Sequence, residues 1–464
     1  MVSTVSSTLE ESNLFLERGM VHHEAGRLRE AELDYKAVLA LVPEHDIALH
    51  QLGLLAYQVG NFALAVNLIR RANTRAPQHA HYWSNLALAY AAQGLLRDAV
   101  ESCKKAIELK PDFVEVFNNL GLILTEGRMY REAETSLRRA IKLRPDAPEA
   151  RANLGFLLLL QGRFKEGWDE YEYRPANLEV NTPPALRSVK RWHGEPFSTR
   201  RILLVGEAGI GDQIQMVRFA QSLHAKGATV DLLVHPQLVD LFAIVRGVRH
   251  VFSTIPQPAA NFFDLWVPML SVPKLLGTDV ADLPANVPYL QPNAVALQRW
   301  ARKLANLSSD RLRVGLVWAD DLSGRVHSPR DLHFRSLEPL KTLTAVQFIS
   351  LQTGEAAAQM EASSWKLPAI GSSLRSLGDT AAVIAHLDMV VTADCAVAHL
   401  AGAMGKPAWI LLPANPDWRW QLGRSDSPWY PTARLFRQRE LEQWDPVIDM
   451  VHRALISMAA RKVA

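Results

Sequence analysis

The sequence predicts an α + α/β protein, in which an N-terminal α-solenoid of repeated helix pairs precedes two lobes built on parallel sheets. Three observations predict this order. Prolines recur every 34 residues in the first third of the chain, a proline-rich segment then ends the helical periodicity, and the remainder alternates short apolar runs with amphipathic stretches. The first pattern is typical of stacked helix pairs, and the last is typical of parallel sheets covered by helices.

Composition and charge exclude several classes of protein. At 464 residues the chain is too long for one core and allows roughly three domains. Its 48% hydrophobic and 21% charged residues are typical of a soluble globular protein, and a net charge of +3 predicts no nucleic-acid partner. Two cysteines form no disulfide framework, the N-terminus lacks a signal-peptide pattern, and no apolar run approaches the ~20 residues of a membrane span. We therefore expect a cytoplasmic protein.

The first third of the chain is an internal repeat. The prolines that share the 34-residue spacing are Pro43, Pro77, Pro111 and Pro145. Alanines from Ala31 to Ala133 keep the same register, and glycines mark the turns. This pattern resembles the tetratricopeptide repeat, in which two helices form each unit and the proline ends the second helix. We expect a superhelix over 1–172, with repeats near 12–45, 46–79, 80–113 and 114–147 and a partial repeat at 148–172.

One position of the repeat carries asparagine in three successive units, at Asn85, Asn119 and Asn153. A row of amides on the concave face suits an extended peptide, because each amide offers both donors and acceptors. Asparagine at this position also bonds locally within such repeats. Both interpretations, peptide binding and local bonding, stay open.

The rest of the chain predicts a linker and two α/β lobes. Residues 173–198 are rich in proline and read as a linker. Residues 199–300 contain the strand-like runs "RILLVGE", "ATVDLLVH" and "VRHVFST", and 301–464 contain "LRVGLVWAD", "VQFISLQTG", "MVVTADC" and "PAWILLP". Helical stretches between them predict two Rossmann-like lobes, whose ligands bind at the carboxyl ends of the strands.

Two strand-to-helix loops carry the candidate chemistry. In "GEAGIGDQ", Gly209 and Gly211 allow close approach of a ligand, and Asp212 stands near the helix start, where an N-cap role is the alternative. In "TADCAVAHL", Asp394 precedes a helix whose first amides form an anion site. The alternatives there are an N-cap for Asp394, a small buried thiol for Cys395 and a buried, hydrogen-bonded imidazole for His399. We expect no nucleophilic role for Cys395.

A family resemblance covers nearly all of the chain from Trp192 onward. The segments "GEAGIGDQIQMVRFA", "VGLVWA", "RSLEPL", "FISLQTG", "LDMVVTADCAVAHLAGAMGKPAWILLP" and "DWRWQLGRSDSPWYPTARLFRQ" follow one another in this order. Together they resemble bacterial tetratricopeptide proteins that end in a domain similar to family 9 glycosyltransferases, the heptosyltransferase-like group, as in repeat-containing flagellin glycosyltransferases. The resemblance implies a GT-B pair of lobes, no obligatory metal or cofactor, and inverting transfer from a nucleotide sugar as co-substrate.

The resemblance also implies roles for individual residues. Asp212 falls at the general base of the family, in the acceptor-side lobe. The donor-binding residues that it implies are Gly209, Gly211, Arg335, Asp394, Cys395, Ala396, His399 and Leu400. Cys395 stands where the family has a threonine, so only its backbone amide keeps the donor contact. Among Arg325, Arg330 and Arg335 we favour Arg335 for the diphosphate, through a bidentate charge-assisted pair.

The sequence therefore predicts a protein glycosyltransferase that moves a sugar from a nucleotide sugar to a hydroxyl of a polypeptide. The repeats would recruit that acceptor, flagellin or another surface protein. One alternative is a non-catalytic adaptor with a degenerate transferase domain, and another is a heptosyltransferase-like enzyme that acts on a glycan or lipid. The tryptophans between Trp418 and Tyr430 would either stack on a ligand or pack a core.

Overall fold

A computed structural model describes residues 2–177, 182–284, 286–307, 310–320, 330–441 and 443–463. The chain divides into two compact units, Met1–Leu157 and Leu158–Ala464. The division falls inside a helix of the predicted partial repeat 148–172, so the second half of that repeat is grouped with the α/β part.

The first unit is built from antiparallel helix pairs. The helices are α1 (Val2–Glu24), α2 (Leu28–Leu41), α3 (Asp46–Gln58), α4 (Phe62–Arg75), α5 (Ala80–Ala92), α6 (Leu96–Leu109), α7 (Val114–Glu126), α8 (Tyr130–Leu143) and α9 (Pro148–Leu160). The second helix of each pair ends two residues before a proline of the 34-residue series, as at Leu41 before Pro43. The predicted repeats and their stop signals are thus confirmed.

Glycines set how closely the paired helices approach. A Cβ atom on Gly53 would lie 2.6 Å from Ile69 Cγ1, and one on Gly121 would lie 2.5 Å from Leu137 Cγ. Only a hydrogen atom fits there, which explains why glycine recurs in the first helix of these repeats. Gly60, in the turn between α3 and α4, has a φ of +79°, a conformation that glycine adopts without strain.

A buried histidine couples the stability of the first unit to pH. The ring of His50 stacks on Tyr82 with centroids 4.2 Å apart, and its Nε2 lies 2.9 Å from Asn85 Nδ2. Burial lowers the pKa of His50 to about 4, and the neighbouring His81 lowers it further whereas Asp46 opposes this. At neutral pH the imidazole is therefore uncharged and accepts a hydrogen bond from the amide.

We expect the free energy of unfolding to fall by about 2 kcal/mol between pH 7 and pH 5 because of this group. The folded-state pKa lies below the unfolded value, so the contribution is present above pH ~6.5 and is lost as the pH falls towards the folded pKa. Urea unfolding of the full chain at both pH values measures it. His50→Gln should lose this part of the pH dependence, while the exposed His193→Gln should keep it; identical slopes for both variants would contradict the assignment.

The second unit contains, within the described residues, two five-stranded parallel sheets. It begins with α10 (Phe164–Tyr171). The first sheet has the order β1-β5-β2-β3-β4 and is formed by β1 (Lys190–Arg191), β2 (Arg201–Val205), β3 (Thr229–Leu233), β4 (Val248–Phe252) and β5 (Leu265–Pro268). Its helices are α11 (Ile210–Met216), α12 (Phe219–Ala225), α13 (Val239–Phe242) and α14 (Val272–Leu275).

The second sheet has the order β10-β9-β8-β6-β7. Its strands are β6 (Leu312–Val317), β7 (Val346–Ser350), β8 (Met389–Ala393), β9 (Ala408–Leu412) and β10 (Ala433–Arg437). The helices beside it are α15 (Ala294–Lys303), α16 (Leu377–His386), α17 (Ala396–Ala403) and α18 (Asp445–Val463). The α/β lobes that the alternating pattern predicts are thus present, and the finer GT-B assignment stays a prediction.

Two segments lie differently from the sequence-based expectation. Lys190 and Arg191, within the predicted linker 173–198, pair with β5 and extend the first sheet by an edge strand. The helix α15 crosses the expected lobe boundary at residue 300 and contacts α16 of the second lobe, where Trp300 Nε1 donates to Asp379 Oδ1 at 3.0 Å. Both differences depend on contacts between residues far apart in the sequence, which local patterns do not predict.

Candidate functional site

A cavity of about 540 Å³ lies where the strands of both sheets end. Its walls come from segments that follow β2, β3, β6, β8 and β9, the edge at which parallel α/β sheets bind ligands. The residues that line it are Ala208, Gly209, Ile210, Gly211, Asp212, Gln213, His235, Asp320, Arg330, Asp394, Cys395, Ala396, His399, Asp417 and Arg419. Both candidate loops of the sequence analysis therefore reach one cavity.

The loop after β2 places Asp212 in the first turn of α11. The N-cap of this helix is Gly209, so the alternative of Asp212 as N-cap is wrong. Its carboxylate instead returns to the loop, because the backbone N–H of Gly209 donates to Asp212 Oδ2 at 2.7 Å. Gly211 brings the lobes together, since a Cβ atom there would lie 2.6 Å from His399 Cδ2.

An arginine from the second lobe pairs with Asp212. Arg419 Nη2 donates to Asp212 Oδ1, and Arg419 Nη1 donates to Asp417 Oδ1 at 2.5 Å. A third bond runs from Arg419 Nε to Gln215 Oε1 at 2.8 Å. The Asp212 side chain keeps 17% of its surface exposed, towards the cavity that it lines.

The loop after β8 presents the start of α17. The N-cap residue of α17 is Cys395, which has extended backbone angles. Asp394 lies one position before it, so Asp394 is not the N-cap that was one alternative for this residue. Asp394 is buried, and burial raises the pKa of its carboxyl while Arg330, 3.5 Å away from Nη1 to Oδ2, opposes this shift. Leu400 is buried beneath the helix and does not line the cavity.

Of the two candidate arginines that the structure describes, Arg330 and Arg335, it is Arg330 that lines the cavity. Its Nη2 lies 3.4 Å from Asp417 Oδ2, so one guanidinium faces both Asp394 and Asp417. Arg335, which the sequence favours for a diphosphate, is exposed at the start of the 3-10 helix Phe334–Thr342 and is not among the lining residues. Arg325 lies outside the described residues.

His399 is a neutral, oriented imidazole. Its Nδ1 lies 2.9 Å from the hydroxyl of Tyr430, and its ring stacks on Trp420 at 5.2 Å. Burial lowers the pKa of His399 to about 3, and the positive charges of Arg218 and Arg330 lower it further. At physiological pH the ring therefore contributes hydrogen bonding and shape to the cavity wall, not charge.

Cys395 is an inert thiol at the junction of two cavities. Burial raises its pKa to about 12, and the charge of Asp320 acts in the same direction, so a nucleophilic role is disfavoured as expected. A second cavity of about 190 Å³ shares Asp320, Cys395 and Ala396 with the first. Most of its other residues end or follow β6 and β7 or lie at the start of α16, and the rest follow β3 or belong to α17. They are Gln237, Val317, Ala319, Leu351, Gln352, Thr353, Leu374, Arg375, Ser376, Leu377, Thr380 and Val397.

The tryptophan-rich segment packs a core. Trp418, Trp420, Trp429 and Tyr430 are fully buried, which decides between the two interpretations against stacking on a ligand. Trp418 packs edge-on against Trp168 of α10, with centroids 5.2 Å apart.

The asparagines of the first unit bond between successive repeats. Their Nδ2 atoms contact a group 35 residues earlier in each case: Asn85 to His50 Nε2 at 2.9 Å, Asn119 to Ser84 Oγ at 3.2 Å and Asn153 to Asn118 Oδ1 at 2.8 Å. Each Nδ2 atom therefore has one partner in the neighbouring repeat, and peptide binding by these asparagines stays a prediction.

Asp320, Asp417 and Arg419 also line the cavity, although the sequence alone did not predict them as site residues. Asp320 comes three residues after β6, and Asp417 and Arg419 come shortly after β9. Asp394 is predicted from its place directly after a strand, and the same criterion identifies these three residues.

The fold and the cavity define a class of protein: tetratricopeptide repeats joined in one chain to an α/β unit with a cavity at the ends of two parallel sheets. Residues 50–112 and 119–174 match the family model described as tetratricopeptide repeat. The repeats are thereby confirmed, and such repeats indicate a role in binding another protein.

A curated relative matches more than half of the chain. It is Protein FlbA of Caulobacter vibrioides, 28% identical over 327 residues, which covers 65% of this chain and 54% of that protein. The chain thus matches about half of the length of this relative.

Solved structures resemble about a third of the chain. A thermophilic tetratricopeptide protein of Thermus thermophilus is 25% identical with a TM-score of 0.33, covering 36% of this chain and 94% of that chain. PilF of Pseudomonas aeruginosa is 18% identical with a TM-score of 0.34, covering 37% of this chain and 78% of that chain.

Across the described residues, none of the helices combines the length and the apolar character needed to cross a bilayer.

Proposed function

We propose that the chain is a glycosyltransferase that transfers a sugar from a nucleotide sugar to a hydroxyl of a protein. The observation that carries this proposal is the single cavity that joins Asp212 of one lobe to the start of α17 and to Arg330 of the other. Asp212 takes the proton of the acceptor hydroxyl, whose oxygen attacks the anomeric carbon from the face opposite the nucleotide. A carbon–oxygen bond to the acceptor forms, and the bond to the nucleotide breaks with its electron pair leaving on the phosphate oxygen.

The distribution of charge supports different positions for the parts of the donor. Carboxylates accept hydrogen bonds from hydroxyl groups, so the part of the cavity near Asp394 and Asp417 suits a sugar. The backbone amides at the start of α17, together with Arg330, suit phosphate oxygens. The adjoining 190 Å³ cavity, with Leu351 and Leu374 in its wall, suits the nucleoside.

The repeats bind the acceptor protein and bring it to the transferase lobes. The amide donors of the asparagine row are engaged between repeats, and the Oδ1 atoms of Asn85, Asn119 and Asn153 are acceptors that suit backbone N–H groups of an extended peptide. Flagellin or another surface protein is the acceptor that the family resemblance implies. A heptosyltransferase-like enzyme for glycans or lipids would have less use for such a surface.

A non-catalytic adaptor is the second candidate. The pairing of Asp212 with Arg419 and the cysteine at position 395 favour it, because the first engages the base and the second replaces a hydroxyl that would contact phosphate. The lining of the cavity by Gly209, Gly211 and His399 favours the enzyme.

Binding of nucleotides and nucleotide sugars to the full chain tests the proposal. At a ligand concentration of 100 Kd we expect a stabilisation of about 2.7 kcal/mol, seen as a rise in Tm, followed by donor hydrolysis or transfer for the ligands that bind. Arg330→Ala should lose the shift, whereas Arg335→Ala, which changes an exposed arginine a few residues away, should keep it. If no nucleotide raises the Tm of the wild type, the adaptor is the correct function.

A further inference from the structure

Arg419 is held from four sides at the wall of the cavity. Gln215 and Asp417 accept from Nε and Nη1 at 2.8 Å and 2.5 Å, and Asp212 accepts from Nη2. The fourth contact is the indole of Trp418, whose ring centroid lies 4.3 Å from the guanidinium carbon. With two nitrogens and one face fixed, the third nitrogen has one orientation, and it meets the carboxylate of Asp212.

Trp418 is in turn held by α10, the second helix of the partial repeat. Three aromatic residues of α10 surround its ring: Phe164 at 6.5 Å, Trp168 at 5.2 Å and Tyr171 at 6.2 Å between centroids. Phe164 and Trp168 are themselves buried. These contacts fix the plane on which the guanidinium lies.

We propose that Arg419 is a positioning residue for Asp212 and that the aromatic face of α10 sets Arg419. The inference rests on the proposed function, because it concerns Asp212 as the general base. With Oδ2 bound to the N–H of Gly209 and Oδ1 bound to Arg419, the carboxylate has one rotamer. The acceptor hydroxyl then meets an oriented lone pair, which is the condition for efficient proton transfer.

Arg419→Gln tests the role of the arginine in the full chain. We expect kcat to fall about 100-fold with the donor KM unchanged, because misplacement of the base affects the transition state and not donor binding. The acid limb of the pH–rate profile should move to higher pH, since removal of a neighbouring positive charge makes a carboxylate easier to protonate. Arg434→Gln is the matched control: this arginine lies over Trp409 and Phe436 in the same lobe and does not line the cavity, so its profile should match the wild type.

Trp168→Leu tests the contribution of α10. We expect a fall in kcat with an unchanged donor KM, because the leucine removes the aromatic edge against Trp418 without entering the cavity. If Trp168→Leu keeps the kcat of the wild type, the role proposed for α10 in setting Arg419 is overturned. An Arg419→Gln enzyme whose pH profile and kcat match the wild type would overturn the part assigned to Arg419.

A double-mutant cycle separates this inference from the proposed function. If the wild type transfers no sugar, the proposed function fails, and the unfolding free energies of Asp212→Asn, Arg419→Gln and the double variant still measure the pair. If the effects of the two substitutions on the free energy of unfolding are not additive, the result supports the role of Arg419 in holding Asp212. Additive effects overturn it.

Discussion

Replacing Asp212 by asparagine should reduce sugar transfer by about 10²- to 10⁴-fold while nucleotide-sugar binding stays near the wild-type level. Asparagine has nearly the same shape, and its one carbonyl oxygen can still accept the hydrogen bond from the N–H of Gly209, although its NH₂ group then no longer accepts from Arg419. Its amide cannot take a proton from the acceptor hydroxyl, so the chemical step loses its base. The donor contacts proposed for α17 and Arg330 are not altered by the change.

Initial rates with a saturating donor measure the chemical step, and calorimetry measures the donor Kd separately. Asp240→Asn, an exposed acidic residue of α13, is the matched control and should transfer at the wild-type rate. Full activity in Asp212→Asn would remove this residue from the mechanism. Loss of donor binding would show that the carboxylate serves the donor and not the acceptor.

The sequence predicts the elements that carry this site because their signals are local. A buried strand followed by small residues and a helix start is visible in both "LLVGEAGIGDQ" and "VVTADCAVAHL". Each of these loops follows a parallel strand, at the edge where such sheets bind ligands, so both are predicted to be ligand-binding loops. In the structure Asp212, Asp394 and His399 line the same cavity. The repeats are predicted with equal ease, because a 34-residue period needs no knowledge of tertiary contacts.

The partners of these residues are not predictable in this way. Arg419 and Gln215 are 204 positions apart, and their bond depends on how the two lobes face each other. Arg330 lines the cavity whereas Arg335, five residues later, does not, and no local pattern in the sequence distinguishes these two arginines. The tryptophans near Trp418 could have faced a ligand or a core, and Trp168, far earlier in the chain, decides it by packing against them.

Arg174→Ala should lower the free energy of unfolding of the second unit by about 3–5 kcal/mol, because it removes one partner of a buried ion pair. Arg174 is 5% exposed, in the segment that reads as a linker in the sequence. It binds Glu207 through two parallel bonds of 2.9 Å and 2.7 Å, and it donates to Glu172 Oε1 at 3.0 Å. Alanine at this position leaves Glu207, whose side chain is 8% exposed, without its cation.

Urea unfolding of the full chain measures this cost, and Arg163→Ala provides the control. Arg163 pairs with Glu166 on the surface of α10, where the side chains are 37% and 52% exposed, so its loss should cost less than about 1 kcal/mol. Adding Glu207→Gln to Arg174→Ala should recover part of the stability, because the uncompensated charge is gone. Equal effects of Arg174→Ala and Arg163→Ala would show that the buried pair does not hold the segment.

The same substitution should reach the cavity, since Glu207 lies two residues before Gly209 and its Oε1 also accepts from the N–H of Leu270 at 3.1 Å. Without Arg174 the Glu207 carboxylate loses the cation that holds it in this position, and the loop that carries Asp212 moves with it. We therefore expect Arg174→Ala to lose transfer activity at urea concentrations where the chain is still folded. Glu207→Gln in the wild-type background should keep more activity than Arg174→Ala, because the amide oxygen of glutamine still accepts from Arg174 and Leu270.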